Sequence, residues 1–201
     1  MSLEDIHSRH IDPDTRTIYL YGDGMVKDEE PGVDYRMANG FIKNLDFLAR
    51  SEGDINIVMG TIGGDWNYGM AIYDRIKSCP SKTIITAYAW ARSMSSIILQ
   101  AATERILMPN CDFMVHYGTY GCEGYYLSAK SGMKFSEKQE TTMLRIYAER
   151  CCKGEHFTKD GLVLLPAIME FIDNKMKERG DWWLSAEEAV YYGFADKVKE
   201  I

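Results

Sequence analysis

Hydrophobic and polar positions along the first half of this chain switch repeatedly between a two-residue and a helical period. Thr17-Ile18-Tyr19-Leu20-Tyr21 is a short β-run ended by Gly22-Asp23-Gly24, and the acidic stretch from Lys27 to Asp34 reads as a loop. From Tyr35 to Arg50, Met37, Phe41, Leu45 and Leu48 recur every three or four positions and lay one helical face on a core. Strand Ile55 to Met59 follows, Gly63-Gly64 breaks the chain, and helical spacing from Tyr68 to Lys77 runs until Pro80 stops it. Thr83 to Ala87 is β-branched and strand-like, Ser93 to Ala102 is an apolar helix, and Phe113-Met114-Val115 is a strand before His116. This alternation predicts an α/β core with largely parallel strands.

The second half is patterned differently. A Gly- and Tyr-rich loop precedes Ser136-Glu137-Lys138-Gln139, a capping box predicted to open a helix through about Arg150. Leu162, Leu165, Ile168, Met169, Ile172 and Met176 then hold helical spacing, with Thr158 or Asp160 as the cap and Pro166 in the first turns. Ser185 to Glu188 is another capping box, Gly193 ends that helix, and Ala195 to Val198 is a terminal strand. The two long helices, over about residues 119–180, read as an arm on the α/β core. Their apolar stripes would be exposed in a monomer, which predicts an oligomer. Residues 1–15 read as a polar leader, no internal repeat appears, and the length of 201 residues predicts a single domain over 1–201.

Composition narrows the classes. With 201 residues, 46% hydrophobic and 26% charged, the chain can bury roughly 70% of its unfolded surface, which excludes disorder. A net charge of −7 without a basic cluster excludes a phosphate-binding face, so no nucleic-acid partner is expected. No run of about 18 apolar residues spans a membrane, and the acidic start has no export-signal core. Cys79, Cys111, Cys122, Cys151 and Cys152 are odd in number and contain no C-x-x-C, so reduced thiols and no zinc site are expected. These features predict a cytoplasmic protein.

Candidate chemistry is sparse enough to weigh residue by residue. His7 and His10 sit in the leader and His156 in a polar turn, all expected at the surface. His116 ends an apolar strand, a position suited either to general base work or to a structural hydrogen bond. Ser93 opens an apolar helix, where free N–H groups and the helix dipole favour a nucleophile as well as an ordinary N-cap. Ser95 and Ser96 lie deeper in that helix. Gly63-Gly64 permits close backbone approach to a carbonyl, or simply a turn. Asp181 stands at the edge of the apolar Trp182-Trp183-Leu184, where it can orient an imidazole or be solvated.

Several motifs in order carry a resemblance. Thr61-Ile62-Gly63-Gly64 with Gly69-Met70-Ala71-Ile72-Tyr73-Asp74, Ala91-Arg92-Ser93-Met94-Ser95, Met108-Pro109-Asn110 through His116, and Asp181 through Ala189 with Tyr192-Gly193 and Asp196 resemble the proteolytic subunit of the caseinolytic (Clp) protease. The resemblance implies a ClpP/crotonase-like spiral of β-β-α repeats with an extended helical handle. It implies a serine endopeptidase with Ser93 as nucleophile, His116 as general base, Asp181 as orienting acid, and an oxyanion hole at Gly64 and Met94 shaped by Gly63. It further implies polypeptide substrates, stacked heptameric rings, a Clp ATPase unfoldase as partner, and no metal or cofactor.

Against the family pattern, Ile62 stands in place of Pro, Arg92 in place of a small residue, and Ser95 in place of Gly or Ala. The 65 positions between His116 and Asp181 make the handle longer than is typical. Such departures also fit a bacteriophage or accessory homologue such as a capsid-maturation protease, or a catalytically degenerate ring subunit. A crotonase-like acyl-thioester enzyme shares the fold but needs no Ser/His/Asp set.

Overall fold

The β-branched runs form the centre of one sheet because both of their faces are covered. In the computed structural model, which describes residues 3–21, 32–119, 121, 124–159, 161 and 164–201, helix α1 (Leu3–Arg9) and strand β1 (Ile11–Asp12) precede β2 (Thr17–Tyr21). Then come α2 (Tyr35–Leu48), β3 (Ile55–Thr61), α3 (Trp66–Lys77), β4 (Thr83–Arg92), α4 (Met94–Leu99), β5 (Glu104–Leu107) and β6 (Asp112–Val115). The remainder is α5 (Tyr126–Cys151), α6 (Glu155–Lys159), α7 (Leu165–Arg179), β7 (Trp182–Leu184), α8 (Ala186–Tyr191) and β8 (Lys197–Val198).

Strands run in the order β1-β2-β3-β4-β5-β8, with β6 on β4 and β7 on β6. The pairs β2-β3, β3-β4, β4-β5, β4-β6 and β5-β8 are parallel, while β1-β2 and β6-β7 are antiparallel. Strand β4 decides the shape. Its first half, Ile84 to Ala87, pairs with β5, and its last residues, Trp90 to Arg92, pair with β6. Between them Ala89 takes a positive φ of 49°, and the β3-β4 register shifts between Met59 and Thr61. The sheet therefore splits at this kink, and β6 and β7 form a second leaf.

Ile57, Met59, Ile85 and Ala87 are fully buried between the helices, and α2 and α3 pack together over the sheet. Phe194, fully buried, meets Phe113, Tyr147 and Trp182 with ring centroids 5.1, 5.4 and 5.7 Å away, so one aromatic knot joins β6, α5 and β7. The arm is α5 packed on α7.

The structure departs from the expectations in particular places. Residues 3–12 of the leader form α1 and an edge strand, because Ile11 is buried and pairs with Ile18. Helix α5 starts ten residues before the Ser136 box, whose serine is therefore a mid-helix residue. Thr158 does not cap α7: it lies in α6 and donates to the carbonyls of Gly154 and Glu155, and Leu164 takes the cap position. Strands β5 and β7 are additional to those the pattern predicts. Ser185 caps α8 through the reciprocal capping box with Glu188. The Gly22-Asp23-Gly24 turn, residues 27–31 of the acidic loop, Cys122, Asp160 and Leu162 lie outside the described residues.

Arg105, its side chain only 4% exposed, binds Asp196 through Nη2 at 2.5 Å and Nε at 3.2 Å and donates from Nη1 to Gln100 Oε1 and the Gly193 carbonyl. Burial raises the pKa of the Asp196 carboxyl, and the Arg105 guanidinium more than reverses this, leaving it below the ordinary range. Hydrogen bonds from Lys197 and then Lys82 hold Glu104 down to about 2. A carboxyl depressed in the fold stabilises above its unfolded pKa of about 4 and loses that contribution as pH falls toward its folded value. Stability followed by circular dichroism is thus expected to decline from about pH 4 toward 2. Asp196→Asn, which strands the Arg105 charge, should cost about 2 kcal/mol at pH 7 in urea denaturation, at the low end because Asp196 is itself 39% exposed.

Candidate active site

Three neighbouring strand ends converge on one point. Ser93 follows the last residue of β4, His116 follows the last of β6, and Asp181 precedes the first of β7. The β6-β7 ladder pairs Met114 with Trp183 and Val115 with Trp182, so its continuation puts His116 opposite Asp181. Arg92 pairs with Met114 in the parallel β4-β6 ladder, which brings Ser93 alongside. Ser93 Oγ lies 2.7 Å from His116 Nε2, and His116 Nδ1 lies 3.1 Å from Asp181 Oδ1. The tautomer protonated at Nδ1 donates to the carboxylate and leaves Nε2 to accept from the hydroxyl. The imidazole is mostly covered, with 22% of the side chain exposed, whereas Asp181 is 53% exposed.

Ser93 sits in a strained strand-to-helix turn, φ 51° and ψ −124°, and its side chain makes no capping bond to α4. Its backbone is held on both sides. The N–H donates to the Met114 carbonyl at 3.0 Å, and the carbonyl accepts from Ser96 N at 3.0 Å and Ser96 Oγ at 2.6 Å. Ser96 Oγ is also 2.7 Å from the buried Tyr147 hydroxyl, and Gln100 Nε2 donates to the Ser96 carbonyl. The network around Arg105 thus continues through Gln100 and Ser96 to the turn that bears Ser93. Ser95 and Ser96 are fully buried, so of these three serines Ser93 alone lines the cleft.

The two glycines complete the backbone frame. Gly63 has φ +100°, and a Cβ there would lie 2.7 Å from Ser93 Cβ and 2.8 Å from the Arg92 carbonyl. The bridge to Val33 uses the Gly63 carbonyl and the Asp65 N–H, so the intervening Gly64 N–H takes no part in it. Met94 begins α4, where first-turn N–H groups have no intrahelical acceptor.

Arg92 turns away from this point. Its guanidinium lies 3.4 Å from the Trp90 ring centroid and 4.7 Å from that of Trp183, and Nη2 binds Asp112 at 3.2 Å. Tyr117, next to His116, donates to Asp173 of α7, which also binds Lys177 Nζ at 2.6 Å, so the arm is tied to the strand end. Sequence reasoning missed this link. Of the other histidines, His156 is not on the open surface as expected: its ring packs against Phe157, Phe171, Tyr191 and Tyr192 at 4.8–5.6 Å. Burial pushes the Cys111 thiol up to about 12 and that of Cys151 higher, which makes both poor nucleophiles. Among the described residues no group of three or more His, Cys, Asp or Glu is placed to hold a metal ion, and no helix is long and apolar enough to cross a membrane.

The Clp protease family matches residues 20–201. This chain belongs to the Clp protease family. Its curated relatives include the ATP-dependent Clp protease proteolytic subunits of Streptococcus pyogenes serotype M5 (strain Manfredo) and serotype M1, each 30% identical over 172 residues covering 84% of this chain and 81% of the relative. Among solved structures it is similar to a point mutant of ClpP1 from Listeria monocytogenes, with a TM-score of 0.71, 24% identity and 94% of each chain covered. The fold is therefore that of the Clp peptidases, and the chain is a serine-type endopeptidase of a divergent branch.

Gly63→Ala should destabilise the protein by about 2 kcal/mol or more, because the substitution adds both a left-handed backbone penalty and a clash with the Ser93 turn. Chemical denaturation of wild type and variant measures this directly.

Proposed function

We propose that this Clp-family chain hydrolyses peptide bonds with Ser93 as nucleophile, His116 as general base and Asp181 as the residue that orients the imidazole. The observation carrying this reading is the continuous set of contacts, Ser93 Oγ to His116 Nε2 at 2.7 Å and His116 Nδ1 to Asp181 Oδ1 at 3.1 Å. Ser93 Oγ attacks the substrate carbonyl while Nε2 takes its proton and passes it to the leaving amine, giving an acyl-enzyme. Water then attacks the ester, and Nε2 takes the water's proton and returns it to Ser93 Oγ as the acid product leaves. Asp181 stabilises the imidazolium formed in between. The tetrahedral oxyanion faces the N–H groups of Gly64 and Met94, with Gly63 shaping the loop. Acyl transfer by this set uses no metal or cofactor.

The active form in this reading is a homo-oligomer of stacked heptameric rings, acting in the cytoplasm on polypeptides delivered by a Clp ATPase, with residues 1–201 as one peptidase domain and the arm as its handle. Support comes from the arm's unburied apolar side chains: Tyr125, Tyr126, Leu127 and Leu164 are each at least 74% exposed. A catalytically degenerate subunit would rest on Arg92, and the Trp90–Trp183 stack with the Asp112 pair draws that cation from the nucleophile.

Incubation with a fluorophosphonate followed by peptide mapping should give one adduct on Ser93, absent in Ser93→Ala and His116→Ala. Peptide cleavage should fall by about 10⁴-fold or more in Ser93→Ala. A folded, assembled wild type that takes no adduct would refute the reading. Light scattering should show an oligomer; a monomer at working concentration would remove the ring.

A further inference from the structure

The cleft beside Ser93 encloses about 590 Å³, and its lining divides by chemistry. Its apolar lining includes Met94, Ile97 and Met143, which anchor it to the core. Two carboxylates border it, Glu140 from α5 and Asp65 from the start of α3, and among the described residues no Lys or Arg lines it. Asp65 accepts from the Tyr68 N–H at 3.0 Å and so caps α3. Glu140 is only partly exposed, and its carboxylate has no hydrogen-bond or ion-pair partner among the described residues. Arg92, beside the nucleophile in the chain, is held by Asp112 and two indoles and is not available to it.

A carboxylate with no partner from the chain itself is free to take a charge-assisted hydrogen bond from a cation that a guest brings. Lysine and arginine side chains join a long apolar stem to a charged head. The stem matches the Met94, Ile97 and Met143 lining while the head reaches the Glu140 carboxylate at the rim. A leucine meets the apolar lining and leaves Glu140 unpaired; a glutamate is repelled.

We infer that the site prefers peptides with Lys or Arg at the residue whose carbonyl faces Ser93, and that Glu140 is the specificity-determining carboxylate. This rests on the proposed function.

The test is a fluorogenic peptide series differing only at that residue, with Arg, Lys, Leu, Met or Glu, run on the assembled wild type, Glu140→Gln and Glu140→Lys at low and high salt. Arg and Lys substrates are expected to exceed Leu in kcat/KM by about tenfold, less at high salt, with Glu slowest. The Arg/Leu ratio should fall to about one in Glu140→Gln and below one in Glu140→Lys. A wild-type preference for Leu or Met, or a ratio unchanged in folded variants, overturns the inference; if a variant does not fold, the wild-type ratio decides. Fluorophosphonate labelling in the same samples separates the two failures. An adduct on Ser93 with no basic preference sinks this inference alone, whereas neither adduct nor cleavage of any peptide sinks the peptidase reading and the inference with it.

Discussion

A buried guanidinium must be satisfied on every side or it unfolds its surroundings, and Arg105 meets that demand by gathering distant parts of the chain. Its partners come from the end of α4, the turn after α8 and the approach to β8. Gln100, one of those partners, also donates to the Phe194 carbonyl and to Ser96, whose hydroxyl fixes the Ser93 carbonyl. Loss of any member leaves a buried polar group unpaired, so the network behaves as a unit. The strained turn under Ser93 persists because this network and the Met114 carbonyl over-determine it.

The sheet supplies the second constraint. By kinking at Ala89, β4 serves β5 with one half and β6 with the other, and its end then falls beside the ends of β6 and β7. Arg92 is compatible with a position next to Ser93 because the pleat directs it to the face bearing Trp90 and Trp183, where indole faces and Asp112 compensate the charge.

The central strands and helices were legible because burial on a regular period leaves a regular pattern, and Ser93, His116, Asp181 and the glycine pair stood out through motif order. What was not legible follows from long-range partners. Glu104-Arg105 looks too polar to open a strand until Lys82, Lys197 and Asp196 are beside it. The first half of α5 is largely exposed, its apolar Tyr126, Leu127, Met133 and Phe135 included, and buries no stripe on the core, so the Ser136 box reads as a beginning. His156 acquires its aromatic surroundings from Phe171, Tyr191 and Tyr192, well removed in sequence.

The pairing of His116 with Asp181 at the end of the β6-β7 ladder makes the whole arm, topologically, the loop of a hairpin. Closing a loop of that length is entropically costly and slow compared with local contacts. During synthesis the strand ends bearing Ser93 and His116 emerge well before Asp181, and Asp196, which neutralises Arg105, emerges later still. A growing chain therefore holds a serine and an imidazole without the carboxylate or the buried anchor behind them. The order of residues therefore delays the full set of contacts until the β7 segment and the residues after it have emerged.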